Sequence, residues 1–271
     1  MGGGVMADRL AEPVDVRLAS AGVALVTLNL PRLRNAMTTE LTSAWTVAMD
    51  EVTTDRSLRA VVVTGAGSAF CSGADLSWLD QGDRGDNTPD RLRDKMLPFY
   101  RTWLAPRQIP VPVVAAVNGP AMGAGLCLAL ACDLRYASPS ATFGAPFSQL
   151  GTHGGMAVSW LLPEAVGVPR AREMLYTGRV LAAREARSWG LVSEVAEDVV
   201  GRALEVAEGV ARAAPIPVRL TKAGLAQGSR GGFEAALQWE ALAQPVTMAT
   251  ADIHQGIQAR REHRLPTFEG N

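Results

Sequence analysis

Apolar runs alternate with helix-period segments along the first two thirds of the chain. Residues 23–30 form an apolar, strand-like run stopped by Pro31. Residues 38–54 have helical spacing, with Leu41, Trp45, Ala48, Met49 and Val52 on one face. Thr38 or Thr39 supplies a cap, and Glu40 an acid in the first turn. Residues 60–64 are continuously apolar and run into Gly65-Ala66-Gly67, the pattern of a buried parallel strand. Residues 111–117 and 133–137 predict further strands, and 90–105 a helix. Such alternation implies βαβ units with right-handed crossovers. After Ala157 the signal is nearly all helical, over 157–166, 170–177, 182–189, 199–214, 217–227, 232–243 and 247–262. The expected organisation is an α/β core over 12–200, a helical region over 201–271 and a disordered tail over 1–11. The polar, turn-rich segment 77–89 is expected to be mobile. No internal repeat is visible.

At 271 residues and 48% hydrophobic content, the chain can build one large core. A formal net charge of −1 argues against a general electrostatic grip on nucleic acid. Cys71, Cys127 and Cys132 have no metal-ligand spacing and make no even disulfide set, so reduced thiols in a cytoplasmic protein are expected. No apolar run approaches the length of a membrane span, and the first residues lack a signal-peptide core. Neither metal nor membrane is expected as a partner.

Residues 117–133 carry the most chemistry. A small-residue loop, Gly119 to Gly125, follows an apolar strand and opens an apolar helix. It lets a ligand approach the backbone and aims unpaired helix N-terminal N–H groups at it. Those donors suit an anion or a developing oxyanion. No carboxylate or His stands in that first turn. The loop is not a Walker A motif, since no Gly-Lys-Ser/Thr follows, and Leu128 occupies the last position of a G-x-G-x-x-G match.

Several markers stand in order over residues 14–268. They are the run 29–37 around Asn35, Val62-Val63-Thr64-Gly65, Phe70-Cys71-Ser72-Gly73-Ala74-Asp75-Leu76 and the 117–133 stretch. Phe143-Gly144-Ala145-Pro146, Leu150-Gly151, 175–179 and 186–192 complete the set. Together they resemble the crotonase (enoyl-CoA hydratase/isomerase) superfamily. The resemblance implies an α/β fold with a crotonase-like ββα spiral core and a helical C-terminal trimerisation region. It also implies a homo-oligomer, trimer or dimer of trimers, acting on acyl-CoA thioesters. No cofactor is implied, coenzyme A being part of the substrate. By motif position the two backbone N–H donors that hold the thioester oxygen fall on Ala74 and Ala124. Ala36, Asp75, Leu76, Trp78 and Gly123 fall at substrate-binding positions, with the 74–76 loop bordering the adenine.

The chain departs from the family at the chemistry. Hydratases of this kind use two glutamates, and those positions here are Cys127 and Phe147. The aspartate of the diene isomerases corresponds to Gly155. Hydration must activate water at Cβ and protonate Cα, and each acid–base group typically contributes about 10²–10⁴-fold. His153 is the candidate replacement, as base or acid; its alternative is to cap the helix beginning near Met156 or to pack a loop. Cys127 in a first turn is a candidate nucleophile or a small buried hydrophobe. Asp75 and Asp80 are nearby acids, Asp75 more simply ordering its own loop. Trp78 and Phe147 read as pocket walls, Glu164 as a solvated helix end, and Cys132 and Asp133 as helix-end packing. The basic run 260–264 reads as a solvated face or, by resemblance, a contact to CoA phosphates. Two functions follow: a hydratase/isomerase-type enzyme, a lyase with relocated acid–base groups, or an acyl-CoA-binding carrier or sensor without efficient chemistry.

Overall fold

The computed structural model describes residues 12–75 and 88–271. The expected tail 1–11 and most of the 77–89 segment lie outside the described residues, as do Leu76, Trp78 and Asp80.

Strands and helices are numbered in chain order. Val14–Ser20 (β1) and Val23–Leu28 (β2) make an antiparallel hairpin. Ala60–Gly65 (β3), Val113–Val117 (β4), Leu134–Ala137 (β6) and Glu194–Val195 (β9) then add in parallel, giving the sheet order β1-β2-β3-β4-β6-β9. β3 and β4 are buried along their whole length, as their unbroken apolar runs require. Ala121–Met122 (β5), Thr142–Gly144 (β7) and Val180–Ala182 (β8) form a second, small sheet.

The differences from the sequence expectation have local causes. The strand expected over 111–117 begins at Val113, since Pro112 has no N–H to give the ladder. The strand expected over 23–30 ends at Leu28, because the Leu30 amide is diverted to the Asn35 side chain at 2.9 Å. β1 was not expected, and its one fully buried residue, Val14, marks it as an edge strand. β5, β7, β8 and β9 are two or three residues long, too short for any periodicity to register.

Thr39–Thr54 (α1) is capped as expected: the Thr38 hydroxyl accepts the Leu41 amide at 3.1 Å. It buries Leu41, Trp45, Ala48, Met49 and Val52. Pro89–Trp103 (α2) is fixed on it by two indoles. Trp45 and Trp103 stack with centroids 5.0 Å apart, and each ring N–H crosses to the other helix, Trp45 to the Thr102 carbonyl and Trp103 to the Thr42 hydroxyl. Ala124–Ala131 (α3) is buried all round. Val158–Val166 (α4), Val168–Thr177 (α5) and Ala183–Trp189 (α6) follow.

Val199–Ala211 (α7) starts where the core was expected to end. It nonetheless lies on the large sheet, with Val199, Ala203 and Ala207 against Val62, Val114 and Tyr136. Pro215–Met248 (α8) merges the helices expected over 217–227 and 232–243. It breaks only at Gly232, whose φ of 72° and ψ of −172° are non-helical. Ala251–Arg261 (α9) completes the chain's helical end. No helix among the described residues is long and apolar enough to cross a membrane.

Candidate active site

The two loops that carry the small-residue motifs leave the same edge of the large sheet. One follows β3 and the other β4, which are adjacent and parallel, so both emerge at the strands' C-terminal ends. Ligand sites of α/β sheets form at such edges. The loops are stitched together: Cys71 bridges to Ala121 in parallel, the Met122 amide donates to the Cys71 carbonyl at 3.0 Å, and the Cys71 amide to the Pro120 carbonyl at 3.1 Å. Gly125 permits this approach, since a Cβ there would stand 2.1 Å from the Cys71 carbonyl oxygen.

Asn35 holds the β3 loop from below. It is fully buried, in a left-handed conformation with φ 55°. Its amide nitrogen lies 3.0, 2.9 and 3.2 Å from the carbonyl oxygens of Ala66, Ala69 and Phe70, while its oxygen accepts from Leu30. Asn118 does the same from the β4 side, accepting the Gly65 amide at 3.1 Å and donating to the Gly67 carbonyl at 3.0 Å. Buried carbonyls need partners, and two asparagines supply them here.

This framework brings Ala74 beside Ala124. The Met37 amide donates to the Gly73 carbonyl, so the Met37–Ala74 bridge leaves the Ala74 N–H outside the pairing. A Cβ on Gly73 would stand 3.4 Å from the Ala124 nitrogen, so the two backbones run against each other. Gly123 precedes α3 with φ 54° and ψ −115°, a conformation that suits only glycine. Neither the Ala74 nor the Ala124 amide donates to an acceptor among the described residues. Both residues border a cavity of about 140 Å³. Paired, preorganised N–H groups on an apolar wall are suited to an oxygen that gains negative charge.

The same cavity gathers Gly123, Cys127, Phe147 and His153. Cys127 is fully buried, and burial pushes its thiol up to about 12. Its sulfur lies 3.7 Å from the Gly155 carbonyl oxygen. A thiol this hard to ionise is a neutral wall at physiological pH, which argues against the nucleophile reading. Phe147 is a half-buried wall, close to Gly123 and Gly154. It also borders a second, outer groove of about 460 Å³, with Val158, Leu175 and Tyr176.

His153 is exposed at the cavity's rim, with Nδ1 2.7 Å from the Gly154 carbonyl oxygen. A carbonyl only accepts, so that bond puts the proton of a neutral ring on Nδ1 and leaves the Nε2 lone pair available. His153 does not cap the next helix; its bond to Gly154 is the loop contact that the other half of the alternative expectation named. α4 begins at Val158 with no side-chain cap, after Met156 and Ala157 at φ 52° and 55°.

Ala36 and Asp75 do not border the cavity. Ala36 adjoins Met37, the residue bridged to Ala74. Glu164 is exposed, and Asp133 joins the helix end to α8 through an ion pair with Lys222 at 2.7 Å. Cys132 is buried beneath it. His254 lies on α9, and Glu262 and Arg264 of the basic run pair with each other at 2.5 Å. No cluster of metal-ligating side chains occurs among the described residues.

Sequence reading missed Met96, Phe99 and Tyr100, which α2 contributes to the cavity wall. Their approach depends on the Trp45–Trp103 stack, a tertiary contact with no local signature.

The α/β scaffold thus presents, beside one cavity, two amides without an acceptor among the described residues. The family model for enoyl-CoA hydratase/isomerase matches residues 19–271, and the chain belongs to that family. It is 43% identical over 213 residues to the probable enoyl-CoA hydratase EchA14 of Mycobacterium tuberculosis, covering 78% of this chain and 81% of that protein. It is 36% identical to the putative enoyl-CoA hydratase/isomerase YngF of Bacillus subtilis, over 92% of this chain and 95% of that one. The crystal structure of enoyl-CoA hydratase from Bacillus anthracis superposes with a TM-score of 0.88 at 34% identity, covering 96% of this chain and all of that one.

Proposed function

We propose that this protein polarises the carbonyl of an acyl-CoA thioester between the Ala74 and Ala124 amides and adds water to 2-enoyl thioesters. The observation that carries the reading is the pair of unpartnered N–H groups bordering one cavity. A donor of this type is worth about 3 kcal/mol of barrier when charge develops on the oxygen. The small, mostly apolar cavity supports the reading by keeping those donors out of bulk water, where they would count for less.

In this reading water reaches Cβ from the rim, where His153 stands. Its Nε2 lone pair takes the water proton as the oxygen bonds to carbon. The carbon–carbon π pair becomes the double bond between Cα and the carbonyl carbon, and the carbonyl π pair moves onto the thioester oxygen, giving an enolate between the two amides. His153 thus takes over the proton transfer that Cys127 and Phe147 cannot perform, the one a neutral thiol and the other a hydrocarbon ring.

A second reading has its own support. With both expected carboxylate positions occupied by groups that move no proton, the chain serves as an acyl-CoA carrier or sensor. One experiment separates the two: crotonyl-CoA hydration by wild type and His153→Ala, with thioester affinity measured on the same samples. The enzyme reading expects turnover in wild type and a loss of about 10²–10⁴-fold in His153→Ala with binding intact. Tight binding without turnover in wild type selects the carrier.

A further inference from the structure

Water addition leaves an enolate that still needs a proton at Cα. Resting on the enzymatic reading above, we infer that the Tyr100 hydroxyl of α2 delivers that proton, as a catalytic acid standing where an aspartate at 155 would otherwise reach.

Tyr100 borders the same cavity as Ala74, Ala124 and His153. A Cβ placed on Gly155 would fall 2.5 Å from the Tyr100 hydroxyl oxygen. The phenol therefore occupies the space into which a side chain at 155 would grow. Gly155 also receives the contact from Cys127, through its carbonyl oxygen. The hydroxyl thus approaches the part of the wall where residue 127 offers no carboxylate. No hydrogen-bond partner of this hydroxyl occurs among the described residues. Other cavity hydroxyls are engaged: Ser72 donates to the Leu33 carbonyl at 3.4 Å and Thr152 to the His153 carbonyl at 3.4 Å. Burial, and then the neighbouring Cys127, push the Tyr100 phenol up, so it stays protonated at neutral pH and serves as acid rather than base.

The proton balance closes. The water oxygen bonds to Cβ and one water proton goes to His153. The enolate electron pair returns through Cα, which takes the Tyr100 proton. The resulting phenolate recovers a proton from the His153 imidazolium through solvent. The sum is an enoyl thioester plus water giving a 3-hydroxyacyl thioester, with no redox partner.

The test is crotonyl-CoA hydration by wild type, Tyr100→Phe and Gly155→Ala, with thioester affinity and the pH profile on the same preparations. Tyr100→Phe keeps the ring that fills the wall. The expected result is a kcat loss of about 10²-fold or more with affinity changed by less than about threefold. Wild type should lose rate at alkaline pH as the phenol ionises, and that fall should be missing from the residual activity of Tyr100→Phe. Gly155→Ala, whose methyl would stand 2.5, 2.7 and 3.0 Å from Oη, Cζ and Cε1 of Tyr100, shifts the ring and its hydroxyl without deleting either and should move kcat the same way; it decides the matter should Tyr100→Phe fail to fold. An active wild type with Tyr100→Phe losing less than about tenfold overturns the inference alone. So does a kcat loss matched by an equal loss of affinity, which makes Tyr100 a wall. A wild type that binds crotonyl-CoA without turnover overturns the hydratase reading, and Tyr100 as its acid with it.

Discussion

Three buried thiols make this protein sensitive to base. Burial pushes Cys71, Cys127 and Cys132 each up to about 12 from an ordinary 9.0. Between those values the unfolded chain has released protons that the folded chain retains. Stability therefore falls as pH rises above about 9, by about 1 kcal/mol per pH unit for each thiol. Urea midpoints measured between pH 7 and 10 should show a plateau and then a decline. A Cys132→Ala variant should decline less steeply. An unchanged midpoint at pH 10 would contradict the burial. The same residues illustrate what sequence could and could not reveal. That Cys127 and Phe147 fall at the positions where the resemblance implies carboxylates was an expectation the sequence could offer. That Cys127 is too deeply buried to ionise depends on α3 being enclosed on every side. An apolar first turn hints at this, but only packing decides it.

At the scale of elements, the loop between β7 and α4 partitions space. Phe147, with Thr152 and His153, borders both the inner cavity of about 140 Å³ and the outer groove of about 460 Å³. On the proposed function, the prediction is that the Phe147 ring limits the acyl chain to a short one. Truncation by Phe147→Ala should open a passage into the groove. We expect the ratio of kcat/KM for a long-chain enoyl thioester over crotonyl-CoA to rise by at least about tenfold, the lower end of what one well-placed apolar contact discriminates. An unchanged ratio would mean the acyl chain leaves by another route. The long apolar runs β2, β3 and β4 and the α1 stripe were legible in the sequence because each repeats its signal several times. The wall formed by α2 was not. Tyr100 reaches the cavity because two tryptophans 58 residues apart in sequence stack and bond across helices. The small sheet was equally hidden, since its strands are held by neighbours rather than by their own pattern.

At the scale of the molecule, α8 and the segment that follows α9 expose large apolar side chains. Phe233, Leu242 and Leu265 are 82%, 72% and 84% exposed, and a groove between the halves of α8 is lined by Leu220, Leu225 and Trp239. Apolar patches of this kind are ordinarily covered. Self-association through this end is the expected outcome, in line with the helical oligomerisation region the resemblance implies. Sedimentation should find an oligomer, and Phe233→Glu with Leu242→Glu should shift it toward monomer. A monomeric wild type at micromolar concentration would refute this.

The free amides of Ala74 and Ala124 have a consequence for the history of such a chain. A group supplied by the main chain is present whatever side chain the position carries, proline alone excepted, so almost no replacement at either residue deletes it. Variation can therefore exchange the proton-handling groups around the cavity one at a time, while the polarising half persists. Lineages built on this scaffold can pass through intermediates that bind and activate a thioester before they acquire a new way to move its protons.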